Sequence, residues 1–262
     1  MADDLVLYDT PGSPCARRVR VALLEKGLRW TTRLVDLTHD IPPQAVEVGA
    51  LVLRSAVPYF PAGTVHLAVV DPGVGTARAP IAVRTAQSWL VGPDNGLLAP
   101  AAAALGGPLA VHAIENPSLL RQPVSHTFHG RDVFAPAAAH LAAGGAIDSL
   151  GAPRAGLRAL PLAEAVAAPD GVRGVVVHVD HFGNLLTNVE RAAVRAFRHL
   201  PLSVRVVEMT TVPLRHAYGD VAPGELVALW SSWDTLEIAV RDGSAAARLG
   251  VGRGAAVRVA GG

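Results

Sequence analysis

The hydrophobic positions of this chain fall into short runs broken by glycine and proline, and their spacing changes along the sequence. Residues 5–8 (LVLY) read as a buried strand. In 14–28 (PCARRVRVALLEKGL), Val19, Ala22 and Leu23 share one helical face and Gly27 is a stop signal. Residues 29–37 (RWTTRLVDL) read as a second strand, with Pro42 and Pro43 beyond it. A helical stretch over 44–60 and a strand over 63–70 (GTVHLAVV) follow. Residues 81–85 (IAVRT) and 89–93 (WLVGP) read as further strands, and 96–107 and 134–145 as alanine-rich helices. Strands alternating with helices predict a mostly parallel sheet with helices on both faces, an α/β arrangement.

The texture changes near residue 150. The stretch 151–174 is rich in Gly, Pro and Ala, lacks a period, and reads as a crossing between domains. Beyond it, 175–189, 202–212, 226–232, 236–240 and 255–260 read as short strands separated by turns, with one helical interruption at 190–197 (ERAAVRAF). That pattern predicts a small β-barrel or sandwich.

Composition narrows the function classes. Half the chain is hydrophobic and 17% is charged, so a packed core is expected. The net charge is +1 and no basic stripe stands out, which argues against nucleic acid as a partner. Cys15 is the sole cysteine, which rules out an intrachain disulfide and argues against a cysteine-based zinc site. Acids at Asp3 and Asp4 precede the first apolar run, and no run approaches the ~20 residues of a membrane span. A soluble, cytoplasmic protein is expected.

Candidate chemistry sits in the turns. The stretch VDPGVGTARAPI puts Asp71 and Arg78 on a glycine-containing turn fed by a strand. The two could form a surface ion pair worth ~0–1 kcal/mol or a charged pair at the edge of a sheet. In SHTFHGRDVFAPAAAHLA, His129 lies in a loop between Phe128 and Phe134, and Asp132 suits a helix N-cap. Asp94 and Asn95 in GPDNGLLAP have turn chemistry. In VDHFGNLLTNV, Asp180, Asn184 and Asn188 interrupt strand formers. Asn amides match an adenine edge, and a carboxylate can take an ammonium. Ser231 and Ser232 stand in a turn where hydroxyls can hold a carboxylate. No GxGxxG, P-loop, HExxH, GxSxG or metal-ligand cluster is present.

In family order, VDLTHDIPP, PYFPAGTVHLAVVDPGVGTAR, VGPDNGLL, TFHGRDVFAPAAAHLA, DHFGNLLTN and LEIAV resemble the S-adenosyl-L-methionine hydroxide adenosyltransferases, relatives of the fluorinating and chlorinating enzymes that use the same substrate. The resemblance implies an α/β domain over 1–160, a linker over 161–172 and a β-barrel domain over 173–262. It implies hydrolysis of S-adenosyl-L-methionine to adenosine and methionine, with no cofactor and no metal. It implies a homotrimer with active sites between subunits. The family's catalytic Asp, Arg and His fall on Asp71, Arg78 and His129. By the same resemblance Tyr59 and Phe128 pack around the adenosine and Phe182 joins the binding set. Asn184 reads adenine, Asp180 takes the ammonium, and Ser231 or Ser232 takes the carboxylate.

The first 35 residues depart from this pattern and resemble the start of a glutathione S-transferase. The aspartate by which the family grips the ribose is missing, so Asp9 or Asp3 stands in for it or ribose binding is weakened. The alternatives are therefore an impaired adenosine-binding protein or a halogenase. A glutathione enzyme using Ser13 or Cys15 is disfavoured, because its second domain is absent.

Overall fold

The computed structural model describes residues 35–197, 202–207 and 210–261, together with the backbone of two short strands nearer the N-terminus. Those strands, β1 (Leu5–Val6) and β2 (Trp30–Thr31), pair in parallel. The helix expected over 14–28, and Asp3, Asp9, Ser13 and Cys15, lie outside the described residues. The chain divides into two compact units, Met1–Leu160 and Pro161–Gly262.

In the first unit, α1 (Val46–Ala56) carries Glu47 in its first turn and Arg54 in its last, both favourable to the helix dipole. It buries Val48, Gly49, Ala50 and Leu53. A Cβ on Gly49 would approach the Val70 side chain to 2.9 Å, so glycine lets the helix lie directly on the chain segment that ends at Asp71. The sheet contains β3 (Val65–Leu67), β4 (Pro80–Thr85), β5 (Trp89–Pro93) and β6 (Pro108–Ala113), in the order β3-β5-β4-β6.

Only β3 and β5 run parallel; the β5–β4 and β4–β6 pairings are antiparallel. The described sheet is therefore mixed, which corrects the expectation of a mostly parallel one. The reason is chain length: three residues join β4 to β5, far short of the dozen or more that a parallel crossover needs. Thr85 closes this hairpin, its hydroxyl accepting the Ser88 N–H at 2.9 Å. Strand β6 was not foreseen.

Residues alternate across the sheet. Ile81, Val83 and Leu90 pack with Leu53, Val57, Leu97 and Leu98, the face covered by α1 and α2 (Ala99–Ala104). Ala82 and Val91 pack on the other face with Phe134, Ala137 and Leu141, from α3 (Ala135–Ala142) and the turn before it.

The second unit holds β7 (Val166–Ala168), β8 (Gly171–Val179), β9 (Leu185–Glu190), β10 (Leu202–Val206), β11 (Thr210–Val212), β12 (Leu226–Trp230), β13 (Thr235–Val240) and β14 (Ala256–Gly261). They form one barrel-like sheet, β11-β10-β14-β8-β9-β13-β12, with β7 on β8. It nearly closes, because Leu214 just beyond β11 bridges to Ala228 of β12. Alternate residues, among them Val172, Leu185, Val189, Val204, Leu236, Ile238 and Val259, fill its core. The stretch 161–172, expected as a linker, contains β7 and is tied to β9 where Asn188 donates to the Ala163 carbonyl at 2.8 Å. The helix expected over 190–197 is a 3₁₀ turn, Arg191–Phe197.

His66 on β3 is buried, edge-on to Phe60 at 5.3 Å, and its Nε2 has no hydrogen-bond partner among the described residues. Burial lowers its pKa from 6.5 to about 4. Below pH 6.5 the unfolded chain binds a proton that the folded one refuses, so this residue lowers stability as pH falls from 6.5 towards 4. The full swing is about 3 kcal/mol at ~1.4 kcal/mol per pKa unit. Denaturant unfolding at a series of pH values checks this: the stability difference between His66→Leu and the native protein should change by about that amount across the window. Parallel curves would refute it.

Candidate active site

Beyond β3 the chain runs through Val70 into the turn that carries Asp71. Asn95 holds the approach, its side-chain amide donating to the Val70 carbonyl at 2.8 Å while its oxygen accepts the Leu97 N–H at 3.1 Å. Within the turn the Asp71 carbonyl accepts the Val74 N–H, and the Gly73 carbonyl accepts both the amide and the hydroxyl of Thr76. Gly75 sits at φ +77°, where a Cβ would come within 2.9 Å of the His126 carbonyl oxygen. Only glycine lets this turn touch the 125–129 loop.

The turn folds Arg78 back on Asp71. Nε donates to Oδ1 at 3.0 Å and Nη2 to Oδ2, a bidentate pair with side chains only 6% and 5% exposed. The guanidinium also lies 5.3 Å from the Phe134 ring centre. Nη2 reaches His129 Nδ1 at 3.1 Å, across 51 residues of sequence. Asp71, Arg78 and His129 thus meet. Burial and the neighbouring Arg78 charge together lower the His129 pKa below 6.5, so its neutral form prevails near pH 7.

Asp132 does not cap the alanine-rich helix, contrary to expectation. It lies inside a π-helical turn, Gly130–Phe134, and is fully buried. Its carboxylate accepts Arg131 Nε at 2.6 Å, Arg131 Nη2 at 2.9 Å and the Ser125 N–H at 2.9 Å, with Arg121 Nη1 at 3.5 Å. The bond from Arg131 is the largest influence holding its pKa down. The bond to Ser125 closes the loop that bears Phe128 and His129. Arg131 stacks 5.2 Å over Phe128.

Of the residues expected to bind substrate, Tyr59 and Phe128 belong to the first unit and are exposed, Tyr59 at 79%. Asp180, Phe182, Asn184, Ser231 and Ser232 belong to the second. Asp180 and Asn184 build one turn: Oδ1 of Asp180 accepts the N–H groups of Phe182 at 2.9 Å and Asn184 at 2.8 Å, and Oδ2 accepts the Asn184 side-chain amide at 3.0 Å. Phe182 stands 74% exposed on that turn. Ser231 hydrogen-bonds Trp233 N–H and the Thr235 hydroxyl, closing the β12–β13 turn, and Ser232 is exposed. Asp9 lies outside the described residues. Among those described, no group of three or more His, Cys, Asp or Glu is placed to hold a metal ion, and no helix is long and apolar enough to cross a membrane.

Sequence reasoning missed a buried acid on the barrel and its tyrosine partner. Glu237 of β13 is buried and accepts the Tyr218 hydroxyl at 2.5 Å. Burial raises the pKa of both. An acid amid the apolar run LEIAV was the available signal.

The chain is similar to known proteins along most of its length. Residues 21–151 match the SAM hydroxide adenosyltransferase N-terminal domain and residues 174–258 its C-terminal domain. The (R)-S-adenosyl-L-methionine hydrolase of Salinispora tropica is 48% identical over 234 residues, 88% of each chain. A fluorinase of Nocardia brasiliensis is 28% identical over 260 residues, 86% of each. Among solved structures, an uncharacterized conserved protein from Thermotoga maritima superposes with a TM-score of 0.83 at 33% identity, covering 97% of this chain and 98% of that one.

Replacing Asp132 with asparagine leaves the Arg131 and Arg121 guanidinium groups facing a neutral amide. With those guanidinium groups a third exposed, losing the charged acceptor costs about 1–3 kcal/mol, read as a lowered denaturation midpoint. The loss should shrink as pH falls, because the depressed Asp132 pKa contributes stability only above the ordinary carboxylate range. An unchanged midpoint at neutral pH would refute the latch.

Proposed function

The chain belongs to the SAM hydroxide adenosyltransferase family, and on that premise we propose that it hydrolyses S-adenosyl-L-methionine to adenosine and L-methionine through Asp71, Arg78 and His129. The observation that carries the catalytic assignment is Arg78 holding Asp71 and His129 at once in a largely buried position. The activity follows from the family and from the hydrolase that is 48% identical to this chain over 234 residues.

The chemistry asks little of a leaving-group acid. Attack at C5′ expels sulfur from a sulfonium as a neutral thioether. The demand falls on the nucleophile, because free water has a pKa of ~15.7. A rigid cluster that binds water in line and favours developing hydroxide character lowers that barrier. Arg78 supplies the positive charge. Asp71 fixes Arg78 and accepts from water, and its anion offsets the second cation when the sulfonium arrives.

The remaining contacts complete the reading. Tyr59, Phe128 and Phe182 enclose the adenosine, and Asn184 reads the adenine edge. Asp180 keeps one lone pair for the substrate ammonium beyond the three it already uses. Ser231 or Ser232 holds the carboxylate. Exposed Tyr59 and Phe182 lie on different units, and their apolar rings favour an assembly that covers them, a homotrimer with sites shared between neighbouring copies. The domains of this reading are 1–160 and a barrel domain, expected over 173–262, that takes in the β7 stretch from 161; they work without a cofactor on a soluble substrate in the cytoplasm.

Incubation with S-adenosyl-L-methionine in ¹⁸O-water should release adenosine and methionine, with the label in the adenosine 5′-hydroxyl. Both sulfonium epimers should be assayed, since the Salinispora relative is named for the (R) form. Absence of adenosine from folded protein would reject the activity, and 5′-halogenated product formed in halide would favour the fluorinase chemistry. Arg78→Lys, which loses the planar fork that meets Asp71 bidentately, should lower turnover about 10²-fold, the scale of losing a preorganised donor. Activity should also fall as pH drops through the lowered His129 pKa, since a second cation then faces Arg78.

A further inference from the structure

The contact between Arg78 and His129 decides more than proximity. A guanidinium has donors and no acceptor. With Arg78 Nη2 at 3.1 Å, His129 Nδ1 must present its lone pair. A neutral imidazole with a lone pair on Nδ1 carries its proton on Nε2. The opposite tautomer would set two N–H groups head to head.

From this geometry we infer that His129 is a hydrogen-bond donor to the attacking oxygen through Nε2–H, and that Asp71 takes the proton. The inference rests on the hydrolase reading and divides the labour within it. Each Asp71 oxygen accepts one Arg78 N–H and keeps a further lone pair. The water donates one O–H to Asp71, accepts Nε2–H from His129, and directs its remaining lone pair at C5′. The C5′–O bond forms as the C5′–S bond breaks, and that bond's electron pair leaves with sulfur as the neutral thioether. The oxygen's proton passes to the Asp71 carboxylate and from there to solvent. Charge balances: a sulfonium and water give adenosine, a thioether and one proton.

A general-base role for His129 would need a free lone pair on Nε2, and hence loss of the Arg78 contact. Arg78 and Asp71 face the ring from the turn, and Asp132 and His126 from its own loop. Protonation of the ring removes the acceptor at Nδ1 and so disorders the trio.

The two roles separate in a pair of variants. Glutamine at 129 reaches the Nε2 position with an N–H but cannot serve as a base near neutral pH. His129→Gln should keep turnover within about tenfold of the native protein and lose the acid limb of its pH profile, whereas His129→Ala should fall about 10²-fold or more. Equal loss in both variants, with unchanged thermal midpoints, would overturn the donor role. A second measurement needs no variant to be active: ¹⁵N NMR of the histidine-labelled native protein should show Nδ1 unprotonated and Nε2 protonated, the signals being assigned by their absence in His129→Gln. The reverse tautomer would overturn the inference. Failure of the native protein to release adenosine would instead defeat the hydrolase reading, and the tautomer measurement tells the two failures apart.

Discussion

One guanidinium organises the first unit of this protein. Arg78 holds a bidentate carboxylate and an imidazole nitrogen together, nearly out of water. A charge removed from solvent must be met by partners, and removing one partner of a buried pair is costly. The rest of the turn and loop structure can be understood as keeping those partners in place.

The backbone does this through few contacts. Asn95 fixes the carbonyl just before Asp71, and Gly49 lets α1 pack against Val70 without a side chain in the way. Gly75 lets the Asp71 turn approach the loop before His129. Asp132, buried and met by Arg131 and Ser125, closes that loop from the other end. Each is a polar or steric constraint between short segments that would otherwise be free to move. Together they pre-order the cluster of Asp71, Arg78 and His129, and the proposed chemistry needs geometry more than strong acids.

The barrel unit has a different character. Its core is an alternating set of aliphatic residues, and several of its polar groups pair with one another. Asp180 and Asn184 bind each other in one turn, and Glu237 is buried against Tyr218. The exposed ring of Phe182 sits on the same turn as Asp180.

The local elements were legible in the chain itself. Short runs of strand formers marked the barrel strands, a helical stretch marked α1, and glycine and proline marked the turns, because these signals depend on near neighbours. The motifs around Asp71, Arg78 and His129 carried the family. What the order of residues left open depended on distant partners. The mixed sheet followed from a three-residue hairpin whose ends also had to pair with β3 and β6. The stretch 161–172 became part of the barrel edge because β8 and Asn188 were there to receive it. Asp132 turned from a local cap into a buried anchor because two arginines converged on it. The tautomer of His129 was decided last, by an arginine 51 positions away. Periodicity is set by a residue's neighbours along the chain, but a proton's position on a ring is set by whichever charged group folding brings against it.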